Sequence, residues 1–558
     1  MHQSIKSVSK QNDLQKDCSH ILKYKEIIDD EVQIDNECVN IGKLILNNLK
    51  CKPDFIGQVD AATGKQNTFC QMREKSIKCA VWLRNFGILR GDIITICTDN
   101  QMDAYVPYFA ALYLGAIVNP WPKQQKGIKS STEHYLTRII PKVIFTDYDN
   151  ADKINTVIKK KRINVKVIVF GTHEDKKFES LDVILSGKEL NMIAVNTFAC
   201  VKLKSNRDPA IILLSSGTTG FCRDVEIPHT IFTALSNNEV PYMKFGQIGL
   251  WFESLHWIIG LLLTVRAIIS YVTVIKASGF DDEHQLCQII EKYKVDWVFL
   301  ESSMSNKLQK YNVFQKHKIP SLGTIIFGGP TIKQSFYGRL KRVLPNVLII
   351  QVYYLPETGI LAHQEVFRML ESNSSICRNV NLIITDFVTK EQLGPNSIGA
   401  IWCRSPSMMI GYYNDSRSTS KIIDKNGWFR SEDVGYYDNN GNIFVIDRVN
   451  RLIRYRHHYI SPAEIENILE THPNVSEAVV IGLPHDYDTF RPIALVQLIP
   501  ETEAHEDELV KYVKINVDYN WKRLHGVFFT NDMPHIANNT IDRVTISQML
   551  QNCCTYCA

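Results

Sequence analysis

The sequence predicts an α/β protein, with a large N-terminal domain of parallel and mixed sheets covered by helices and a small α+β unit at the C-terminal end. Three observations carry that prediction. Helical and strand-like segments alternate from about residue 41 to 200 and again from 271 to 328, as a parallel sheet covered on both faces requires. A chain of 558 residues is too long for one hydrophobic core and must divide into about two to four packed units. Beyond residue 450, a helical period starting at Ile465 is followed by the strand-like run SEAVVIGL, which fits a unit of roughly a hundred residues over 450–558.

Residues 1–40 are polar and charged without a sustained period, so they read as a loosely ordered lead-in to a domain at 41–448, with the small domain at 449–558. Within the large domain, Phe69 to Phe86 has the pattern of an amphipathic helix, GDIITICTD of a short strand, and Tyr105 to Leu114 of a helix closed by Gly115. PKVIFTD and VKVIVFG read as buried strands, and KKKR at Lys159 to Arg162 as a solvated helix end. The longest apolar stretch, Trp257 to Ile275, is interrupted by Arg266 and carries Gly260, so it reads as a buried helix running into a buried strand and not as a membrane span. YVTVIKA, HQLCQIIEKYKVDWVFL and SLGTIIFGGP continue the alternation, and Gly328 and Gly329 end a strand where missing side chains let a flat ring approach the backbone. DNNG at Asp438 to Gly441 marks a tight hairpin between short strands. Pro462 and Glu464 suit a helix N-terminus.

Composition narrows the function. With 45% hydrophobic and 22% charged residues the chain reads as globular, and a net charge of only +4 points neither to nucleic acid nor to an anionic membrane. Fourteen cysteines form no framework, and MHQSIKSVSKQND lacks the apolar core of a signal peptide, so a reducing compartment, the cytoplasm, is expected. The terminal NCCTYCA has no partner pair or His cluster for its Cys554 and Cys557. It also lacks the S-K-L ending that would address a peroxisome.

The chemistry-bearing stretch is SSGTTG, Ser215 to Gly220, placed after the apolar run Ala210 to Leu214. Gly217 and Gly220 among the hydroxyls of Ser215, Ser216, Thr218 and Thr219 give a turn whose N–H groups can close around phosphate oxygens. No Lys-Ser or Lys-Thr closes it, so it is not a Walker-type loop. In LIIQVYYLPETG, Tyr353 and Tyr354 offer aromatic faces to a purine and Glu357 a carboxylate that can hold magnesium against phosphates. Asp433, in GWFRSEDVGYYDNNGN, can accept hydrogen bonds from both hydroxyls of a ribose.

Taken together and in order, SSGTTGFCRDVEIPH, YYLPET, GWFRSEDVGYYDNNGNIFVIDR and RYRHHYISPAEIENILETHPNVSEAVVIGLP resemble the motifs of the adenylate-forming superfamily, nearest to the luciferase-like acyl-CoA synthetases of insects. The resemblance covers roughly residues 40 to 545. It implies ATP, Mg²⁺ and coenzyme A as reactants with a small carboxylic acid, and a C-terminal unit that acts as a lid rotating between adenylate and thioester formation. It further implies that 215–220 with Arg223 holds phosphates, that Tyr353 lies on adenine, and that Gly328, Gly329 and Tyr354 line the adenine and acyl pockets. Glu357 would hold the metal, Asp433 and Arg448 the ribose, and His256 beside Trp257 the carboxylate entry.

Departures from the family pattern concentrate on one step. The C-terminal loop MPHIANNTIDR carries Thr540 where the resemblance calls for a lysine, and a neutral hydroxyl cannot replace an ammonium charge. Pro356 replaces a phosphate-contacting threonine and Tyr354 a glycine. Arg223 and Asp224 replace Lys-Gly, Arg454 and Arg456 replace lysines after the hinge, and His457 replaces a glycine whose turn it would strain. Two readings follow: an ATP-dependent fatty acid–CoA ligase slowed at adenylation, or a degenerate relative that binds nucleotide or acyl ligands without turnover. Light emission is implied by no individual residue.

Overall fold

The computed structural model describes residues 40–98, 102–122, 131–172, 177–187, 192–215, 223–234, 237, 240, 243–280, 282–302, 304, 308, 312–329, 332, 334–365, 373–517, 521–535 and 541–555. Strand β1 (Pro209–Ser215) pairs antiparallel with β2 (Arg223–Pro228), with Ser215 opposite Arg223. Both belong to an eight-stranded sheet, ordered Gly411–Tyr412, β2, β1, Ile117–Pro120, Ile93–Cys97, Val143–Thr146, Lys166–Val169 and Glu179–Ser180 among the described residues. Its six strands beyond β2 run parallel, and the wholly buried VIFT of Val143–Thr146 shows why such strands read as unbroken apolar runs.

The second sheet has four neighbouring parallel strands at its centre: β3 (Ile248–Trp251), β4 (Trp297–Glu301), β5 (Thr324–Gly328) and β6 (Leu348–Leu355). Thr273–Lys276 and Ile56–Asp60 extend it in parallel, while antiparallel strands close both edges. Two further strands, β7 (Phe429–Tyr437) and β8 (Ile443–Arg448), lie in a four-stranded antiparallel sheet. The turn between them is at Asp438 to Asn442, and the strands it joins are nine and six residues long, so the hairpin expected at DNNG is present with longer arms. The C-terminal sheet begins with the hairpin β9 (Ile453–Tyr455) and β10 (His458–Ile460) and continues through Thr489–Leu498 to Val475–His485, with Val527–Thr530 parallel to Thr489–Leu498. The architecture is therefore large helix-covered N-terminal sheets and a smaller, β-rich C-terminal domain.

Local chemistry explains the element ends. Thr68 and Gln71 form a reciprocal capping box that starts the helix Phe69–Asn85, and Gly115 takes a φ of 65° to end Tyr105–Leu114. The stretch from Trp257 to Ile275 is helix α1 (Ile258–Ser270), a turn at Tyr271, and the strand Thr273–Lys276. No helix among the described residues is long and apolar enough to cross a membrane. A methyl group at Gly260 would meet the Ser254 carbonyl oxygen at 2.4 Å, so the bare glycine lets α1 pack onto the segment that carries His256. Helix α2 (Pro462–Glu470) starts with Pro at its first turn, as expected, and Lys159 and Lys160 are exposed at the end of Tyr148–Lys161. Helix α3 (Arg543–Thr555) packs against Val475–His485.

Candidate active site

The C-terminal ends of β3 to β6 lie side by side, the place where open α/β sheets present ligands to the chain's functional groups. Gly328 ends β5. A Cβ there would come within 2.4 Å of Phe299 Cζ and 2.8 Å of Tyr354 Cε1, so glycine is the residue the packing allows. Gly329 follows with a φ of 100°, a left-handed value open to glycine.

Tyr353 and Tyr354 on β6 face different neighbours, and the pairing of β6 with Gly359–Glu365 shifts register between them. The Tyr353 hydroxyl donates to Asp433 Oδ2 at 2.6 Å, while Tyr354 packs on Gly328. Asp433 is 3% exposed and sits opposite Arg448 in the β7–β8 ladder, with Arg448 Nε 2.7 Å from Asp433 Oδ1. Its own N–H donates to Ser431 Oγ at 3.1 Å. Burial raises the Asp433 carboxyl and outweighs the opposing pull of the Arg448 guanidinium. Burial also keeps the Tyr353 phenol well above its ordinary range, so it is a neutral donor. Glu357, at the turn after β6, is pushed up to about 7 by burial, with Arg448 pulling the other way. Tyr353, Asp433, Arg448 and Glu357 thus form one electrostatically connected group drawn from three strands and a turn.

Ser215 and Arg223 flank the expected phosphate loop, whose Ser216, Gly217, Thr218, Thr219 and Gly220 lie outside the described residues. The Ser215 hydroxyl donates to the Arg223 carbonyl at 3.3 Å. Arg223 lies over the Tyr412 ring at 4.9 Å and donates to its hydroxyl at 3.2 Å. Asp224 turns the other way, pairing with Arg138 at 2.8 Å. The charge that follows the loop is therefore presented by Arg223, with Asp224 held off by its own partner.

His256 Nδ1 is hydrogen-bonded to Ser254 Oγ, and burial lowers the imidazole to about 4, leaving it neutral at physiological pH. The adjoining Trp257 is 43% exposed.

In the C-terminal domain, Arg454 is exposed on β9 and Arg456 occupies the hairpin turn. The strain expected at His457 falls one residue earlier: Arg456 takes a φ of 54°, and His457 does not have a positive φ. Asp488 explains the placement, because it accepts from Arg456 Nε at 2.6 Å while its carbonyl receives the Arg456 N–H at 2.9 Å. Thr540 lies outside the described residues. Arg543, three residues on, donates to both Glu466 oxygens at 2.6 and 2.9 Å and to the Val480 carbonyl at 3.0 Å, so its guanidinium is committed within the C-terminal domain.

Two features escaped the sequence reading. Asp447 accepts from Ser461 Oγ at 3.0 Å and Ala463 N at 3.4 Å, placing a carboxylate at the N-terminus of α2 across the expected hinge. Glu253, two residues beyond the end of β3, is 6% exposed. Its signal was present, a carboxylate closing the apolar run of LWFE, but His256 and Trp257 drew the attention.

Comparison with known proteins agrees with this architecture. Residues 47–413 match the AMP-binding enzyme family and 464–539 the AMP-binding enzyme C-terminal domain. The chain is 27% identical over 505 residues to luciferin 4-monooxygenase of Nipponoluciola cruciata, covering 89% of this chain and 91% of that one. It is 26% identical over 518 residues to 4-coumarate–CoA ligase 4 of Arabidopsis thaliana, covering 89% and 88%. The fold superposes on ATP-bound MatB from Rhodopseudomonas palustris with a TM-score of 0.80 at 18% identity, over 91% of this chain and 98% of that one. With its family match spanning well over half of its length, the chain belongs to the AMP-binding enzymes, the adenylate-forming superfamily.

Proposed function

We propose that the chain is an ATP- and Mg²⁺-dependent carboxylic acid–CoA ligase of the cytoplasm, working through an acyl-adenylate. The observation that carries this reading is the Tyr353–Asp433–Arg448–Glu357 group at the strand ends, with Arg223 close by through Tyr412, whose hydroxyl it holds and which also feels the Glu357 carboxyl. Asp433, fixed by Arg448 and Tyr353, presents a carboxylate to the ribose hydroxyls, and Tyr353 offers its ring to adenine. Residues 215–220 and Arg223 hold phosphates. A carboxylate oxygen of the acid then attacks the α-phosphorus, the bond to pyrophosphate breaks, and the acyl-adenylate remains. In the second step the thiol sulfur of CoA bonds to the acyl carbon as its proton is released, and AMP departs. Neutral His256 at the acid entry orients the carboxylate without competing for a proton. Residues 449–558 serve as the lid, with Arg454 on its exposed hairpin facing the second step.

Glu357 suits Mg²⁺, since that ion takes one or two carboxylates with substrate phosphates completing its shell, and a bound Mg²⁺ would neutralise charge that builds on those phosphates. The raised Glu357 pKa fixes a sign. Below about 7 the folded carboxyl is protonated and cannot serve the metal, so Mg²⁺-dependent turnover should rise with pH through about 7, with the midpoint moving lower as Mg²⁺ is increased. Without metal, an unfolded glutamate ionises near 4.5 while the folded one waits until about 7, so this group lowers stability as pH rises across that window. A turnover profile flat from pH 6 to 8 at limiting Mg²⁺ would remove Glu357 from the metal site.

The alternative, a ligand-binding relative without turnover, is favoured by Thr540 and by the commitment of Arg543 to Glu466. Incubation with ATP, Mg²⁺, CoA and fatty acids from short to long chain separates the two. The ligase forms acyl-CoA and AMP in equal amounts, whereas the binding protein holds ATP or acyl-adenylate analogues and forms neither.

A further inference from the structure

The C-terminal domain carries a cavity of about 550 Å³ that neither step of the proposed reaction uses. That size falls in the roughly 300–1,000 Å³ range of small-molecule sites. Its walls are the segment from Asn450 to Ile453, the middle of the strand Val475–His485 with Phe490 beside it, and the first two turns of α3. Of its apolar residues, Ile453 and Val480 are buried, whereas Val544 is 69% and Phe490 37% exposed. The cavity therefore runs from a buried apolar base to an apolar rim that water still touches, surface that a ligand with a hydrocarbon chain would cover.

Among the described residues, the charged side chains in the lining are two guanidiniums, those of Arg451 and Arg543. Arg543 is committed to Glu466 and the Val480 carbonyl. Arg451 is paired only loosely, its Nη1 lying 3.9 Å from Asp447 Oδ1, beyond hydrogen-bond length. The Asp447 oxygens already accept from the Arg448 N–H at 2.8 Å, the Ser461 hydroxyl and the Ala463 N–H. Burial, and then the like charge of Arg543, draw Arg451 below its ordinary range, although its side chain remains 44% exposed. A cation hemmed by protein and still open to solvent is what the wall of a concavity presents. It gains from an anion that neutralises it, and its fork matches a carboxylate. With one loosely paired cation the cavity suits a single negative charge, whereas the phosphates of a nucleotide call for several donors.

We propose that this cavity is an accessory binding site, separate from the reaction centre, for an apolar monoanion of the medium-chain carboxylate class, its carboxylate on Arg451 and its chain along Ile453, Val480, Phe490 and Val544. The inference goes beyond the ligase reading and does not depend on it, because none of the residues given to nucleotide, acid or metal in that reading lines the cavity.

The test is calorimetry of the full chain with octanoate, in the presence of a saturating non-hydrolysable octanoyl-adenylate analogue that fills the proposed reaction centre. A single octanoate should bind per chain under those conditions. Octanol, which lacks the charge, should bind on the order of 10-fold more weakly. Acetate, which lacks the chain, should bind on the order of 10²-fold more weakly. Arg451→Gln should weaken octanoate on the order of 10-fold and bring it level with octanol, since the charge-assisted hydrogen bonds are lost. Val544→Glu, a change at an exposed position, should weaken octanoate more than octanol, because it sets a like charge near the carboxylate. Octanoate excluded by the analogue, octanol bound as tightly as octanoate, or an octanoate affinity untouched in both variants overturns the proposal. A chain that forms acyl-CoA yet binds no octanoate beside the analogue sinks this inference and leaves the ligase reading standing. Octanoate held through Arg451 by a chain that forms no acyl-CoA from any acid does the reverse.

Discussion

Replacing Thr540 with lysine should raise acid-dependent pyrophosphate release by on the order of 10²- to 10³-fold, the usual worth of one electrostatic donor aimed at a transition state. Charge gathers on phosphate oxygens as the acid attacks the α-phosphorus, and a hydroxyl answers it with one weak dipole where an ammonium supplies a full charge. Arg543 is held by two oxygens of Glu466 and the Val480 carbonyl, and Arg456 is tied to Asp488. Thr540→Ala should leave the rate within about threefold of the parent, since the hydroxyl contributes little to a charged transition state. A Thr540→Lys chain no faster than the parent, with ATP still bound, would place the limitation elsewhere, at Pro356 or Tyr354.

The second large effect is at Asp433. Asp433→Ala should weaken ATP binding by on the order of 10²-fold, because both ribose hydroxyls lose their acceptor, hydrogen bonds to a charged group being worth about 1.5–3 kcal/mol each. It also strands Arg448 and the Tyr353 hydroxyl. Breaking a fully buried pair costs about 3–5 kcal/mol, but Arg448 is 35% exposed and can turn to water, so a loss nearer 2 kcal/mol in denaturant unfolding is expected. Asp433→Asn, which keeps shape and gives up charge, should fall between. Calorimetry with ATP reads the first effect and a urea titration the second. ATP affinity unchanged in Asp433→Ala would exclude it from the ribose site. This variant probes nucleotide binding under either functional reading, whereas Thr540→Lys separates them.

Much of the fold was legible because its strands are buried on both faces. PKVIFTD and SLGTIIFGGP announce themselves as apolar runs bounded by turn residues, and Tyr105–Leu114 is read correctly to its last residue because Gly115 ends it in a left-handed turn. The contacts among site residues were not legible. Nothing in the sequence says that Tyr353 reaches Asp433 across 80 positions, since that depends on how β6 and β7 meet in space. Nor does the pattern show that Asp488 fixes the turn at Arg456 and moves the positive φ away from His457. Asp224 looked like a disruption of the phosphate loop, yet Arg138 from a distant helix pairs with it. Glu253 was overlooked because a charged residue after a strand ordinarily faces solvent, and its burial depends on packing by α1 and β4, which periodicity does not reveal.

The most direct test of the account is exchange of labelled pyrophosphate into ATP, measured with parent, Thr540→Lys and Asp433→Ala chains over carboxylic acids from short to long chain. The account predicts acid-dependent exchange that is slow in the parent, faster by orders of magnitude with lysine at 540, and lost with alanine at 433. ATP bound by both the parent and the Thr540→Lys chain, with no exchange from either on any acid, would contradict it and leave a nucleotide-binding protein that forms no acyl-adenylate.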